Sequence, residues 1–205
     1  MIYVIGDIHG CLHPLRRLIA QLRPGDDDDV VFLGDYVDRG PNSRGVIDYL
    51  LTLRGRYTFL MGNHERMFLD FLQGKERALF LYNGGTATLD SYGGLRGIPA
   101  THLAFLERLR PYHENQEYFF VHAGIRPEVP LHEQDERDLL WIRDDFYAYS
   151  GRFPKTVVFG HTPMREVLME EDRIGIDTAC VYGNKLTCLI LPSREVIQVS
   201  NHLDR

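Results

Sequence analysis

In the first third of the chain the apolar residues come in short unbroken runs, each ending at a glycine: Ile2–Ile5 at Gly6, Val30–Leu33 at Gly34, Tyr57–Met61 at Gly62. The runs are rich in Val, Ile, Phe and Tyr and do not alternate with polar residues, as expected of strands covered on both faces. Between them Leu12, Leu15, Leu18, Ile19 and Leu22, then Val46, Ile47, Leu50 and Leu51, recur at helical spacing. This predicts helices over 12–22 and 44–53, and a sheet served by helical crossovers. From His64 to Arg110 the pattern is helical, broken at Gly84-Gly85 and Gly93-Gly94, and reads as a small helical insertion over approximately 64–111. Further runs at Tyr118–Val121, Thr156–Phe159, Glu166–Met169, Ile174–Ile176, Lys185–Leu191 and Val196–Ser200 predict a strand-rich second half, with Tyr182-Gly183-Asn184-Lys185 as a hairpin turn. Without repeats or a linker-like stretch, residues 1–205 read as a single domain.

Composition narrows the class. Hydrophobic residues at 44% and charged residues at 25% are ordinary globular values. No run of apolar residues is long enough to span a bilayer. The N-terminus lacks a basic segment and reaches Asp7 at once, unlike a secretory leader. Three cysteines are too few for a disulfide framework. Cys180 and Cys188 could meet across a hairpin, but buried free thiols in a reducing cytoplasm are the favoured reading. Asp26–Asp29 lacks the spaced oxygens and closing glutamate of a calcium loop, so it reads as a solvated turn. A net charge of -6 argues against nucleic-acid and anionic-membrane partners. An anionic substrate would therefore need positive charge from outside the composition.

Candidate chemistry gathers in five clusters that each follow a predicted strand: Gly6-Asp7-Ile8-His9-Gly10, Gly34-Asp35-Tyr36-Val37-Asp38-Arg39-Gly40, Gly62-Asn63-His64-Glu65, Val121-His122-Ala123-Gly124 and Phe159-Gly160-His161-Thr162. Each joins a metal-competent side chain to a glycine, which lets backbone and ion approach closely. Any one has a bland reading, such as a helix cap or a hydrogen-bonded core histidine. Together they are improbable as core packing, since unpaired buried polar groups cost several kcal/mol apiece. Two cations would satisfy them. Imidazole and oxygen ligands with almost no thiolate suit manganese, iron, zinc or cobalt.

These five blocks, in this order from residue 6 to residue 162, resemble the phosphoprotein phosphatase branch of the metallophosphoesterases, particularly the short bacterial and phage serine/threonine phosphatases. The likeness extends to residues 83–93, 140–143 and 176–179. It implies an α/β fold in which a two-sheet β-sandwich is flanked by helices. It also implies two divalent metal ions, manganese first among the candidates, with Asp7 and His9 on the first, Asp35 bridging, and Asn63, His122 and His161 on the second. His64 would be the general acid paired with Asp38, and Arg39 and Arg143 would bind the substrate phosphate.

The physical account agrees with that assignment. Two dications about 3.5–4 Å apart can lower the pKa of a shared water toward roughly 7 and neutralise a phosphate. An alkoxide leaving group must still be protonated, and a general acid typically contributes about 10²–10⁴-fold. A carboxylate partner is expected to keep His64 charged near neutrality. The rival readings are a helix cap for His64 and a plain salt bridge to Arg39 for Asp38. Trp141 reads as core, and Tyr182 as a lesser candidate for lining the site. The expected partners are phosphorylated proteins or peptides, with small phosphoesters possible. The alternatives are a symmetrical bis(5'-nucleosyl)-tetraphosphatase, which needs the acid pair less, and a non-catalytic phosphopeptide- or metal-binding module.

Overall fold

The computed structural model describes residues 1–201; the last four positions of the expected domain lie outside the described residues. Strand β1 (Ile2–Ile5), helix α1 (Leu12–Leu22), strand β2 (Asp29–Phe32), helix α2 (Ser43–Thr52) and strand β3 (Arg56–Phe59) follow the crossover order expected from the apolar runs. Helices α3 (Asn63–Leu72), α4 (Arg77–Phe80), α5 (Thr86–Tyr92) and α6 (Ala100–Leu106) make up the helical stretch. Its breaks fall at the glycines: a kink at Gly84, within Leu81–Gly85, joins α4 to α5, and Gly93 ends α5 in the left-handed conformation. There follow β4 (Tyr112–Glu114), β5 (Tyr118–Val121), α7 (Glu136–Trp141), α8 (Asp144–Ala148), β6 (Thr156–Phe159), β7 (Leu168–Met169), β8 (Arg173–Gly175), β9 (Lys185–Leu191) and β10 (Glu195–Ser200).

Two mixed sheets result, ordered β10-β9-β1-β2-β3 and β4-β5-β6-β8-β7. β1, β2 and β3 run parallel in the first, and β5, β6 and β8 run parallel in the second. Val4, Val31, Leu33, Tyr118, Phe120 and Val158 pack between the sheets. Tyr3, Ile5 and Phe32 turn outward under α1, α2 and α3, while Phe119, Val121 and Phe159 turn outward under α7 and α8. Neighbouring residues of one strand thus enter two different cores, which is why the runs are continuously apolar. The helix–sheet–sheet–helix layering implied by the resemblance is present.

Some expectations need correction. Tyr182–Lys185 is not a β-hairpin turn. Gly183 does adopt φ 90°, but the turn follows a 3-10 turn at Cys180–Tyr182, and β8 before it and β9 after it lie in different sheets. The hairpin is β9–β10, which turns at residues 192–194. The strand expected over 166–169 is only two residues long, and β4, α7 and α8 are too short to leave a periodic signal. All three cysteines are buried and free. Asp28 does lie in a turn before a strand, paired with the N-terminal ammonium at 2.7 Å. Among the described residues, no helix is long and apolar enough to cross a membrane.

Phe120, fully buried between the sheets, tests the sandwich core. Phe120→Ala is expected to cost about 3–5 kcal/mol in denaturant unfolding. Leu95→Ala, at a 52% exposed position, should stay within about 0.5 kcal/mol.

Candidate metal centre

The carboxyl ends of the parallel strands in both sheets meet at one place. Asp7 and His9 follow β1, Asp35, Asp38 and Arg39 follow β2, Asn63 and His64 open α3 after β3, His122 follows β5 and His161 follows β6. His9, Asp35, Asp38, Arg39 and His161 have φ of 45°, 54°, 69°, 65° and 64°. Non-glycine residues in this region cost on the order of 1–3 kcal/mol, somewhat less for Asp and His. The surroundings hold them there. The buried Glu65 carboxylate accepts the N–H groups of Asp35 (2.8 Å), Tyr36 (2.7 Å), Val37 (3.1 Å) and Gly62 (3.0 Å). The Asp35 carbonyl in turn accepts the N–H groups of Ile8 and His9.

Asp35 sits at the centre and divides its two oxygens. Oδ2 lies 3.3 Å from His9 Nε2 and 4.0 Å from His64 Nε2, whereas Oδ1 lies 3.4 Å from His122 Nε2. Two groups of ligand atoms, one from His9, Asp35 and His64 and one from Asp35, His122 and His161, each fall within 4.8 Å and share Asp35. His122 Nδ1 faces the Leu33 carbonyl at 2.9 Å, and its Nε2 faces Asn63 Oδ1 at 2.9 Å. A neutral imidazole has a single N–H, so one of those contacts sets lone pair against lone pair. His161 Nδ1 converges on the same Asn63 oxygen at 3.0 Å. His9 Nδ1 donates to the Val37 carbonyl at 2.9 Å, leaving Nε2 as an electron-pair donor toward Asp35. Asp7 accepts the His161 N–H at 3.0 Å through Oδ2, but its buried Oδ1 has no partner. A crowd of buried electron-pair donors around a shared carboxylate fits a pair of divalent cations.

Gly160 shows how tightly the site is drawn. A Cβ there would come within 2.1 Å of Asp7 Oδ1, so only glycine lets the β6 loop pass the carboxylate.

Burial sets the protonation states. Desolvation pushes Asp35 up to about 7 and raises Asp7 strongly, the latter further lifted by Asp177 and Asp35. Desolvation brings His122 down to about 4 and, with the neighbouring His122 and Arg143, His161 to about 2. His64 departs from expectation: burial, then His9 and Arg39, hold it well below its usual value despite Asp38. The pair itself is as expected, with His64 Nδ1 2.7 Å from Asp38 Oδ2 and His64 Nε2 buried without a partner. Asp38 thus pairs with His64 rather than Arg39. Arg39 reaches His9 Nε2 at 2.6 Å and Arg143 reaches His161 Nε2 at 3.1 Å, so both guanidinium groups border the centre. Trp141 is partly buried against the main core and meets the His161 ring edge-on at 6.1 Å. Tyr182, 64% exposed, lies under Arg39 at 5.8 Å.

All ten candidate residues from the sequence are brought together. Four supporting residues were not expected. Glu65 had a usable signal, an acid three residues past the glycine that starts α3. Ser43, Thr88 and Asp177 had none, because their roles depend on contacts distant in sequence.

The raised carboxyls give the site a pH dependence. A carboxyl whose folded pKa is about 7 contributes stability in full below about pH 4, and that contribution is lost as pH rises through 7. Cations bind the ionised form. Added manganese should therefore raise the melting temperature more at pH 8 than at pH 5.5 in differential scanning fluorimetry. A larger shift at pH 5.5 contradicts the assignment.

The chain matches the calcineurin-like phosphoesterase family over residues 1–190. It is similar to the asymmetrical bis(5'-nucleosyl)-tetraphosphatase PrpE of Oceanobacillus iheyensis, 30% identical over 97% of this chain and 91% of the relative. It is also similar to serine/threonine-protein phosphatase 1 of Salmonella typhimurium, 31% identical over 91% of this chain and 89% of the relative. Its fold matches the crystal structure of a candidate diadenosine tetraphosphatase with a TM-score of 0.79 and 26% identity, covering 98% and 94% of the two chains. A cold-active protein-tyrosine phosphatase from Shewanella shares the fold at a TM-score of 0.70 and 16% identity, over 98% and 77% of the two chains. The chain belongs to the calcineurin-like phosphoesterase family, as a phosphoprotein-phosphatase-type metallophosphoesterase that hydrolyses phosphate esters.

Proposed function

We propose that this phosphoesterase is a phosphomonoesterase acting chiefly on phosphoserine and phosphothreonine in proteins or peptides. The observation that carries the reading is the buried Asp38–His64 pair, whose free Nε2 points at the shared carboxylate. Asp7, His9, Asp35, Asn63, His122 and His161 are assigned as ligands of two divalent cations, manganese by preference. When bound, these ions supply a nucleophile from water at neutral pH and offset the phosphate charge. They also answer how an acidic protein holds an anion.

The rest is the work of the chain's own residues. Arg39 and Arg143, on two sides of the centre, clamp phosphate oxygens with planar guanidinium groups. His64 Nε2 gives its proton to the leaving alkoxide, while Asp38 fixes the ring and leaves Nδ1 as the donor to itself. Burial disfavours charged His64 in the protein alone, but a phosphate dianion at Nε2 favours the protonated form. Substrate would thereby charge its own acid.

The relatives named as asymmetrical dinucleoside tetraphosphatases favour a second reading, and the expected symmetrical cleavage gives way to the asymmetrical one. In that reaction the leaving group is a phosphate anion, which needs the acid less. A manganese-dependent panel of phosphoserine, phosphothreonine and phosphotyrosine peptides against diadenosine tetraphosphate separates the readings, with the first two peptides expected to lead. Dominant tetraphosphate turnover, read as nucleotide products, selects the second reading, and no hydrolysis of any substrate leaves only a binding module. His64→Asn should lower kcat on phosphoserine peptide by about 10²-fold or more and on p-nitrophenyl phosphate by far less. Equal losses would reject the acid role.

A further inference from the structure

Beyond α3, the helical stretch between β3 and β4 reaches the centre at a buried hydroxyl. Thr88 lies in α5, is fully buried, and sits 50 residues from Asp38 in the chain. Its Oγ1 is 2.6 Å from Asp38 Oδ1, 2.8 Å from the Asp38 N–H and 3.0 Å from Ser43 Oγ. A hydroxyl has one proton and two lone pairs. The Thr88 hydroxyl donates its proton to Asp38 Oδ1, one of its lone pairs takes the Asp38 N–H, and Ser43 donates to the other. Ser43 Oγ accepts the same Asp38 N–H at 3.1 Å.

A carboxylate held at one oxygen can swivel about its side-chain torsion. Asp38 is held at both, by His64 Nδ1 on Oδ2 and by Thr88 on Oδ1. The preceding kink at Gly84 serves the next residue. The Gly84 carbonyl accepts the Arg39 N–H at 3.2 Å, and Gly84 itself has φ 96°. A Cβ at Gly84 would meet Arg39 Cγ at 3.0 Å and its backbone nitrogen at 3.1 Å. Asp38 and Arg39 are consecutive left-handed residues, and one segment, 84–88, braces both.

We infer that Thr88 is a positioning residue for proton donation: its hydroxyl orients Asp38, and through it the His64 ring, while the Gly84 turn fixes the neighbouring phosphate arginine. This rests on the acid role proposed for His64. The helices beyond α3 are then part of the reaction machinery, although none of their residues touches the phosphate.

The test compares the manganese-loaded wild type with Thr88→Val, Thr88→Ser and His64→Asn on a phosphoserine peptide and on p-nitrophenyl phosphate. Thr88→Val is expected to lower kcat on the peptide by about tenfold to hundredfold. Its kcat on the aryl ester should stay within about threefold of wild type, with metal content and peptide KM unchanged. Thr88→Ser, which keeps the hydroxyl, should recover most of the loss. If the valine variant misfolds, Thr88→Ala gives the same ratio between substrates. Equal losses on both substrates, or no recovery by serine, would make Thr88 merely structural and overturn the inference. Wild-type-like behaviour of Thr88→Val beside a leaving-group-dependent His64→Asn would sink it while leaving the acid role intact. A His64→Asn variant with no leaving-group bias would remove the acid role and this inference together.

Discussion

The arrangement depends on lone pairs that face one another in a place water scarcely reaches. Asn63, His122 and His161 converge as donors on one side of Asp35, with His9 on the other, and a buried Asp7 oxygen is bare. Burying such groups unpaired costs several kcal/mol each. Protons can relieve part of that repulsion, as the raised carboxyls indicate. Cations relieve it more completely and without suppressing the ligands' charge. The folded chain therefore carries local destabilisation that bound divalent cations would convert into affinity.

Holding that repulsion takes a stiff frame. Continuous apolar strands bury both faces of each sheet, so the loops at their carboxyl ends have little freedom to drift apart. Glu65 gathers four backbone N–H groups from two loops. It faces the protein rather than the centre, and it ties the loop of Asp35 to the start of the helix that carries Asn63 and His64.

How much of this was legible in the sequence follows from the range of each interaction. The apolar runs revealed β1, β2, β3, β5, β6 and β9 because burial on two faces leaves an unbroken signal. Nine of the ten candidate residues were legible because each follows a strand beside a turn that glycine makes possible, whereas Arg143, between α7 and α8, was legible through the resemblance alone. Short elements such as α7, α8 and β4 left too few residues for any period to register. The Tyr182–Lys185 turn misled because turn chemistry is local, whereas the choice of sheet for the next strand is not. The depressed His64 was hidden for a similar reason: its partner is visible as a motif, but its burial is a property of the whole fold.

The candidate ligands come from both halves of the sandwich, with Asp7, His9, Asp35 and Asn63 extending from one sheet and His122 and His161 from the other. An ion shared between them would act as a rivet through two layers that otherwise adhere by apolar packing and a few hydrogen bonds, such as that from the His161 N–H to Asp7. Breathing at that rim would then be governed by ion occupancy as well as by the core, and catalytic competence and local rigidity would rise and fall together.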